Sequence, residues 1–326
     1  MAAAASRYAL PVRLLRRPPT APDRDFLSIE DLDASALVAL LDAAEALLPQ
    51  AVGDAPGEPR LAGRVVANLF FEDSTRTRVS FEIAAKRLGA DVVNLTALGS
   101  SASKGETLVD TARNIEAMGV DAIVVRTSIS GGAAVVARQV GCPVVNAGDG
   151  RHQHPTQGLL DMLALRLRLG DLAGKRVAIV GDIANSRVAR SSAQALSLLG
   201  AETIVIGPPS LVPEGFAEMA IGRGSINITH DLDSIIGEVD AIMMLRVQLE
   251  RAAGSGIAPD YRSKYGLTVE RRARLRAGVP ILHPGPVNRG VELDDAVLDD
   301  PSDSLVLAQV SCGVAARMAV LLRALA

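Results

Sequence analysis

Aromatic residues are scarce in this chain of 326 residues, which has no tryptophan, three tyrosines and five phenylalanines. The hydrophobic fraction of 48% comes mainly from alanine, leucine and valine instead. Three of the five phenylalanines, Phe70, Phe71 and Phe81, lie in one short segment. Because aromatic side chains bury large apolar areas, we expect that segment to pack into a core.

Cysteine is also rare, with Cys142 and Cys312 as the two thiols. Two cysteines cannot form the disulfide framework of a small secreted domain, and both stand among small and apolar residues. We therefore expect buried, unreactive thiols and a reducing, cytoplasmic compartment.

The chain has no excess of either charge, since 34 basic residues face 37 acidic ones. This balance gives no sign of a nucleic-acid or membrane-surface partner. No run of about 18 uncharged apolar residues occurs, so no transmembrane helix is expected. Residues 1–25 are rich in alanine, arginine and proline, and we expect a disordered tail. An organellar transit peptide stays open, because no acid precedes Asp23.

Short β-branched runs alternate with helical stretches along the rest of the chain. They form two series, at 64–71, 91–95, 122–126 and 142–148, and at 176–182, 202–207, 226–230, 241–245 and 280–285. Apolar strands separated by helices indicate parallel sheets covered on both faces. We predict an α/β protein of two domains, residues 26–166 and 167–303, each a parallel sheet flanked by helices. Interdomain helices join them, with one helix near 156–170 and a C-terminal helix, 304–326, that completes the first domain.

Polar residues cluster just after the predicted strands, where open parallel sheets bind their ligands. The segment FFEDSTRTRVSFE (70–82) predicts a helix with Asp73 or Ser74 as its N-cap. It nevertheless places Arg76 and Arg78 in the first turn, where the helix dipole disfavours cations. Backbone N–H groups, hydroxyls and a guanidinium at one helix end suit a phosphate. The alternative is an ordinary cap with its arginines turned to solvent.

Three further segments match common motifs only in part. GSSASKGET (99–107) has one lysine but lacks the phosphate-loop spacing, so it is either a mobile lid or a plain loop. RHQHPTQ (151–157) has a His-x-His pair, but too few other ligands exist for a metal site, and we prefer a hydrogen-bonding His154 beside Gln157. VAIVGDIANSRVARS (177–191) lacks the Gly-x-Gly-x-x-Gly of a dinucleotide site. Arg187 at that turn would meet a small carboxylate instead.

Two segments follow the last predicted strands. MLRVQLER (244–251) places Arg246 and Gln248 on the same side of an extended chain, unless it is a solvated charge run. LHPGPVNRG (282–290) is stiffened by proline and suited to present backbone carbonyls, unless it is simply a rigid turn. All these segments together offer many cations and amides and few acids. That composition suits two polyanionic small molecules, with stabilisation of the charge between them.

From about Phe26 to the C-terminus, these motifs resemble the carbamoyltransferase family. The resemblance rests on Phe-x-x-x-Ser-Thr-Arg-Thr-Arg, Lys-Gly-Glu, His-Pro-Thr-Gln, MLRVQLER and LHPGPVNRG, in that order. The last two look like the aspartate-specific branch, and the Ser-Met-Gly and His-Cys-Leu-Pro segments expected of the ornithine-specific branch do not occur. The resemblance implies transfer of the carbamoyl group from carbamoyl phosphate to L-aspartate, the committed step of pyrimidine synthesis, without a cofactor.

By motif position, the resemblance implies a carbamoyl-phosphate-binding first domain and an aspartate-binding second domain. The residues expected to bind carbamoyl phosphate are Ser74, Thr75, Arg76, Thr77, Ser100, Lys104, Arg126, His154, Gln157, Pro284 and Gly285. Those expected to act in catalysis are Arg76, Thr77, Lys104, Arg126 and His154. Those expected to bind aspartate are Lys104, Arg187, Arg246 and Gln248.

The resemblance also implies a homotrimer with shared active sites. Ser100 (or Ser101) and Lys104 would enter each site from a neighbouring subunit. A higher assembly with regulatory chains or a dihydroorotase stays open, as does the response to nucleotides. Gly285 stands where some family members have leucine, which keeps the backbone carbonyl but loosens the loop.

Three other functions stay as alternatives. A carbamoyltransferase with a different acceptor amine is disfavoured by Arg246 and Gln248. A non-catalytic, ligand-binding assembly subunit would be expected to lack Arg76, Lys104, His154 or Arg246. A Rossmann oxidoreductase would bind a nicotinamide cofactor.

Overall fold

The computed structural model describes residues 24–96, 106–247 and 260–325. The predictions made for Ser100, Lys104, Gln248 and nearly all of the N-terminal tail lie outside the described residues. The remaining predicted site residues lie within them.

The first sheet has four parallel strands in the order β2-β1-β3-β4. The strands are β1 (Val65–Phe70), β2 (Asp91–Thr96), β3 (Ala122–Thr127) and β4 (Val144–Asp149). The helices of this half are α1 (Ala34–Val52), α2 (Thr75–Arg87), α3 (Leu108–Ala117), α4 (Gly132–Ala137) and α5 (Pro155–Leu169). Strands β3 and β4 are buried along their whole length, whereas β2 at the edge is partly exposed.

The second sheet has five parallel strands in the order β7-β6-β5-β8-β9. The strands are β5 (Arg176–Val180), β6 (Glu202–Ile206), β7 (Ser225–Thr229), β8 (Ala241–Met244) and β9 (Ile281–Leu282). The helices are α6 (Arg187–Leu198), α7 (Tyr261–Tyr265), α8 (Val269–Arg272), α9 (Asp295–Leu298) and α10 (Val306–Leu325). The predicted fold class, two parallel sheets flanked by helices, is confirmed.

Helices α5 and α10 connect the two halves. Helix α10 packs on α1, α2 and α5, so the chain returns to the first sheet after completing the second. Helix α5 packs on α6 as well, and one hydrophobic core runs from α1 through α5 to the helices over the second sheet. The two sheets are therefore held by a shared apolar core, which fixes the edge where their strand ends meet.

Two of the described helices, Ala34–Val52 and Val306–Leu325, are long and apolar enough to cross a membrane by length and composition. The sequence prediction had not anticipated this. They pack on each other, and their apolar faces lie in the core. A buried helix of a folded domain passes the same test of length and composition, so these two helices are weak grounds for a membrane span.

Single residues refine the sequence predictions. Phe70 and Phe81 are fully in the core and Phe71 is partly buried against it. Val79 and Ile83, which follow the helical spacing of α2, are 41% and 39% exposed. Cys142 and Cys312 are free, and burial raises the pKa of each thiol to about 12. Such thiols stay protonated and unreactive near neutral pH.

Candidate active site

The predicted site residues that the structure describes follow the carboxyl ends of strands from both sheets. They are Ser74 to Thr77 after β1, Arg126 at the end of β3, His154 and Gln157 after β4, Arg187 after β5, Arg246 after β8, and Pro284 and Gly285 after β9. Parallel strands end at the same edge of a sheet, so each sheet brings its own set together. The packing of α5 and α10 then brings the two edges to face each other.

Helix α2 begins at Thr75 with Ser74 as its N-cap, which decides between the two predicted caps. The Ser74 side chain makes no capping hydrogen bond. No acid occupies the first turn, while Arg76 lies there. The helix end therefore offers N–H groups, a hydroxyl and a guanidinium that suit an anion.

Glu72 joins the arginines of the two halves. Its carboxylate accepts hydrogen bonds from Arg126 at 2.7 Å and from Arg187 at 2.5 and 3.0 Å. Arg126 lies in the first sheet and Arg187 begins α6 over the second, so this one acid bridges the two domains. Burial raises the pKa of Glu72, but the hydrogen bonds and charges of Arg187 and Arg126 outweigh burial, and the net pKa lies below its usual value.

The arginines at this site repel one another. Burial, the charge of Arg187 and, more weakly, that of Arg76 lower the pKa of Arg126 to about 10, against the opposing effect of Glu72. Partial burial and the charge of Arg246 lower the pKa of Arg76. An anionic ligand between these guanidiniums would relieve the repulsion between them.

Two glycines let the backbone approach these arginines closely. Gly148, at φ +116°, would place a Cβ 3.0 Å from Arg126 Nη1 and 3.0 Å from Arg187 Nε. Gly285, at φ +63°, would place a Cβ 3.2 Å from Arg76 Cζ. Any larger residue at either position would strain the backbone and displace a guanidinium. The Pro284–Gly285 loop of the second domain therefore lies against Arg76 of the first.

His154 is the N-cap of α5, and its side chain is buried. Its backbone N–H donates to Ser191 Oγ at 2.9 Å, and its Nδ1 has no hydrogen-bond partner among the described residues. Burial, followed by the charges of Arg126, Arg187 and Arg317, lowers the pKa of His154 well below its ordinary value. The imidazole is therefore neutral at working pH and can serve as a hydrogen-bond donor rather than as a charge.

The neutral state of His154 predicts an effect of pH on stability. Below pH ~6.5 the unfolded chain takes up a proton at this histidine and the native chain does not. The unfolded state then binds more protons, so acid lowers the free energy of unfolding, by up to about 1.4 kcal/mol per pH unit for one group. Urea unfolding between pH 7.5 and 5.5 should show this loss in the wild type and a smaller loss in His154→Asn. Identical losses in both proteins would contradict the neutral assignment.

Glu292 is buried and holds together the two loops that follow β8 and β9. It accepts from Val247 N–H at 2.8 Å, and from the Asn288 backbone and side chain, both at 2.6 Å. Asn288 Nδ2 in turn donates to Val247 O at 2.9 Å. The strand end that carries Arg246 is thereby fixed to the loop that follows Gly285.

Sequence reasoning missed Glu72 and Glu292. Glu72 stands within the segment that was singled out, two residues before Ser74, and an acid beside so many predicted cations was the available signal. Glu292 had no such signal, because its partners are mostly backbone groups. In the described ranges 24–96, 106–247 and 260–325, no group of His, Cys, Asp or Glu side chains is arranged to hold a metal ion.

Two parallel sheets with arginines at their junction define a two-domain α/β protein suited to anionic small molecules. Two family models cover nearly the whole chain. The carbamoyl-P binding domain of aspartate/ornithine carbamoyltransferase matches residues 24–167, and the Asp/Orn binding domain matches residues 173–324. The chain belongs to the aspartate/ornithine carbamoyltransferase family.

Similar proteins point to one branch of that family. The aspartate carbamoyltransferase catalytic subunit of Myxococcus xanthus is 51% identical over 300 residues, which cover 91% of this chain and 98% of that protein. A crystal structure of aspartate transcarbamoylase from Trypanosoma cruzi, in complex with carbamoyl phosphate and aspartate, has a TM-score of 0.84 at 30% identity and covers 95% of this chain and 99% of its own. An ornithine carbamoyltransferase from Pyrococcus furiosus has a TM-score of 0.82 at 29% identity, covering 92% and 96%. The fold is thus shared by both branches, and the acceptor must be argued from the site.

Proposed function

We propose that this chain catalyses transfer of the carbamoyl group from carbamoyl phosphate to the amine of L-aspartate, giving N-carbamoyl-L-aspartate and phosphate in pyrimidine synthesis. The observation that carries the proposal is the convergence of Arg76 and Arg126 from one sheet with Arg187 and Arg246 from the other. One anionic substrate would occupy each side of this junction. The names of the similar proteins support aspartate as the acceptor.

The phosphate of the donor would lie at the N-terminus of α2. The free N–H groups of the first turn, the hydroxyls of Ser74, Thr75 and Thr77, and the guanidinium of Arg76 all favour a dianion at that point. Arg126, held at the strand end by Glu72 and Ala147 O, would bridge the phosphate and the carbonyl. Arg76, which the helix dipole alone disfavours in the first turn, then acts together with that dipole on the same anion.

The carbonyl oxygen would gain negative charge as the amine attacks. Thr77, Arg126 and a neutral His154 would donate hydrogen bonds to it, which is where electrostatic stabilisation lowers the barrier of acyl transfer. The aspartate nitrogen forms a bond to the carbonyl carbon, and the carbon–oxygen bond to phosphate breaks. The leaving phosphate accepts the proton of the amine, so no protein base is required.

The acceptor would be held by its two carboxylates. Arg187 and Arg246 follow β5 and β8, which are adjacent in the second sheet. Gln248 and Lys104 would complete this site. Arg187 already bonds a carboxylate, that of Glu72, in the structure. An amine acceptor with a single carboxylate would make use of only one of these two guanidiniums, which disfavours ornithine.

The alternatives make different demands on the same residues. A nicotinamide enzyme would need an open phosphate turn after β5, and there Arg187 donates to Glu72 and to Gly150 O. A non-catalytic assembly subunit would have no use for arginines paired across two domains. Retention of Arg76, His154 and Arg246 at the junction favours the enzyme.

The reaction is tested by offering both acceptors to the purified full chain. Carbamoyl phosphate with L-aspartate should yield N-carbamoyl-L-aspartate, and L-ornithine should yield at most about a thousandth as much citrulline, since a site built to bind two carboxylates discriminates strongly against a substrate that lacks one of them. Turnover of ornithine without aspartate would reject the acceptor. If titration showed that the protein binds a nicotinamide cofactor, the proposed reaction class would be wrong.

We also propose that the active unit is a cytoplasmic homotrimer. A patch of exposed apolar side chains, Val79 and Ile83, lies on α2 with exposures of 41% and 39%, and α2 begins at the proposed phosphate site. A second copy seated there would cover it and would carry its own Ser100–Lys104 loop to the neighbouring site. The two free thiols suit a reducing compartment.

Mixing two inactive variants tests the shared site. Lys104→Ala and Arg76→Ala damage different contributors to a site built from two subunits. Reassociation of a mixture should restore activity, because each mixed trimer contains one site formed by two intact contributors. Sedimentation should give a trimer for each variant. No recovery after demonstrated subunit exchange would contradict a site shared between copies.

A further inference from the structure

Asp161 lies outside the set of predicted site residues, although it sits one helical turn beyond Gln157 on α5. Its side chain is fully buried. Its Oδ1 accepts from Gln157 Nε2 at 2.8 Å and from Gln309 Nε2 at 2.7 Å, and its Oδ2 accepts from Ser192 Oγ at 2.9 Å. The carboxyl group therefore connects three helices, α5, α6 and α10, at the point where the two domains meet.

The chemistry of a carboxylate fixes both glutamine amides. An ionised carboxylate only accepts hydrogen bonds, so each amide must turn its NH2 group toward Asp161 and its oxygen away. For Gln309 the oxygen accepts the backbone N–H of His283 at 3.0 Å. For Gln157 no described residue donates to the oxygen, and Gln157 lies on the first turn of α5, beside His154.

Gln309 connects Asp161 to the loop whose backbone carbonyls are predicted to bind the carbamoyl group. His283 begins the loop that contains Pro284 and Gly285, and its Nδ1 accepts from Gly285 N–H at 2.8 Å. The position of the two backbone carbonyls is thus tied through His283 and Gln309 to the same carboxylate. Both halves of the predicted amide site, the side chain of Gln157 and the loop carbonyls, share one anchor.

We propose that Asp161 is a positioning residue that aims three hydrogen-bond acceptors, Gln157 Oε1 and the carbonyls of Pro284 and Gly285, at the NH2 group of the carbamoyl donor. This inference rests on the proposed function and assigns its donor specificity. An NH2 group satisfies these acceptors. The methyl group of acetyl phosphate, which has nearly the same shape and the same leaving group, cannot donate and leaves them unpaired. The site would accordingly reject the acetyl donor.

A purely structural role for Asp161 has different consequences. Fully buried Arg317 lies close enough for its charge to act on Asp161, so removal of the acid also removes a charge partner. A loss of stability alone would therefore not show whether Asp161 orients the hydrogen-bond acceptors of the site. The useful readout is the ratio between the dissociation constant of acetyl phosphate, measured as a competitive inhibitor, and that of carbamoyl phosphate.

Four variants of the full chain separate the two roles. Asp161→Asn keeps an acceptor oxygen for both glutamines, while the Ser192 hydroxyl can turn to accept, so the ratio should stay within about twofold of the wild type. Ser192→Ala removes one hydrogen bond to Asp161 and leaves its bonds to both glutamines in place, so this variant should also keep the ratio. Asp161→Leu and Gln309→Leu release the amides or the loop and should lower the ratio by about tenfold or more.

The outcomes decide between separate hypotheses. A ratio that falls in the two leucine variants and is retained in Asp161→Asn and Ser192→Ala supports the proposal. An unchanged ratio in Gln309→Leu and in folded Asp161→Leu overturns it, whatever happens to stability. If Asp161→Leu does not fold, Gln309→Leu decides alone. A wild type that does not turn over carbamoyl phosphate would instead reject the proposed function.

Discussion

Arg76→Ala is expected to lower kcat/KM for carbamoyl phosphate by about 10³-fold while the protein folds normally. The reason is electrostatic, because removal of one partner from a buried, hydrogen-bonded charge pair typically costs 2–5 kcal/mol. Arg76 lies in the first turn of α2, where no described residue forms an ion pair with its guanidinium, and the charges of Arg126 and Arg246 repel it. Steady-state kinetics and thermal unfolding measured on the same preparation check both parts.

A matched control is the loss of a cation outside the site. Lys264 is exposed, and among the described residues it pairs with Asp260 one turn away, so Lys264→Ala should change kcat/KM by less than about twofold. Arg76→Ala with rates near those of the wild type would refute the phosphate role. Thermal stability of Arg76→Ala should be equal to or slightly above that of the wild type, since a repulsive contact has been removed.

Glu72→Gln is expected to lower kcat/KM for aspartate by about 10²-fold and to lower the unfolding temperature. Glu72 is the shared acceptor of Arg126 and Arg187, and a neutral amide cannot offset the charges of both. The two guanidiniums would separate, and the two domains would lose a charged link whose loss is strongly destabilising where it is buried. Kinetics at varied aspartate, with calorimetric unfolding, measure the two effects.

The control for Glu72 is a surface pair. Glu238 forms an ion pair with Arg176 and is largely exposed. Glu238→Gln should therefore change neither kcat/KM for aspartate nor the unfolding temperature appreciably. If Glu72→Gln bound either substrate more tightly than the wild type, Glu72 would be a competitor of the substrates and not the residue that positions their arginines.

Much of the fold follows from local pattern. Each predicted β-branched run became a strand within a few residues of its predicted ends, because near-continuous apolar runs between helices can only be buried in a covered parallel sheet. The carboxyl ends of the predicted strands also indicated where the described site residues would lie, without knowledge of any contact between them. The segment at 280–285 gave a strand of two residues, Ile281–Leu282, because the prolines on either side cannot extend the ladder.

What the sequence could not show depends on long-range contacts. The acids Asp161 and Glu292 have ordinary local contexts, and their roles appear only when distant helices and loops supply the donors. The exposure of Val79 and Ile83 is similar: their spacing predicts a buried face, and the single chain leaves that face open. The domain boundaries and the identity of the residues that complete the site from a neighbour stay predictions.

The role of Arg78 likewise cannot be predicted from its local sequence. It stands in the same first turn as Arg76 but is not among the residues expected to bind carbamoyl phosphate, so we expect a structural role, as an ion pair at a subunit contact. In the structure Lys86, Asn94 and, most weakly, the charge of Arg78 lower the pKa of Glu82, which lies four residues beyond Arg78 on the helix. Glu82 borders the exposed apolar patch, so a role at a contact between copies stays a prediction.

Titration calorimetry with N-(phosphonoacetyl)-L-aspartate tests most directly that one site across the two domains holds both anions at once. This compound joins a phosphonate and an aspartate through a short acyl link. The wild type should bind it at least about 10²-fold more tightly than aspartate or phosphate alone. Arg76→Ala in the first domain and Arg246→Ala in the second should each weaken binding by about 30-fold or more. Binding no tighter than that of the separate anions, or binding that depends on only one of the two arginines, would contradict a single site between the domains.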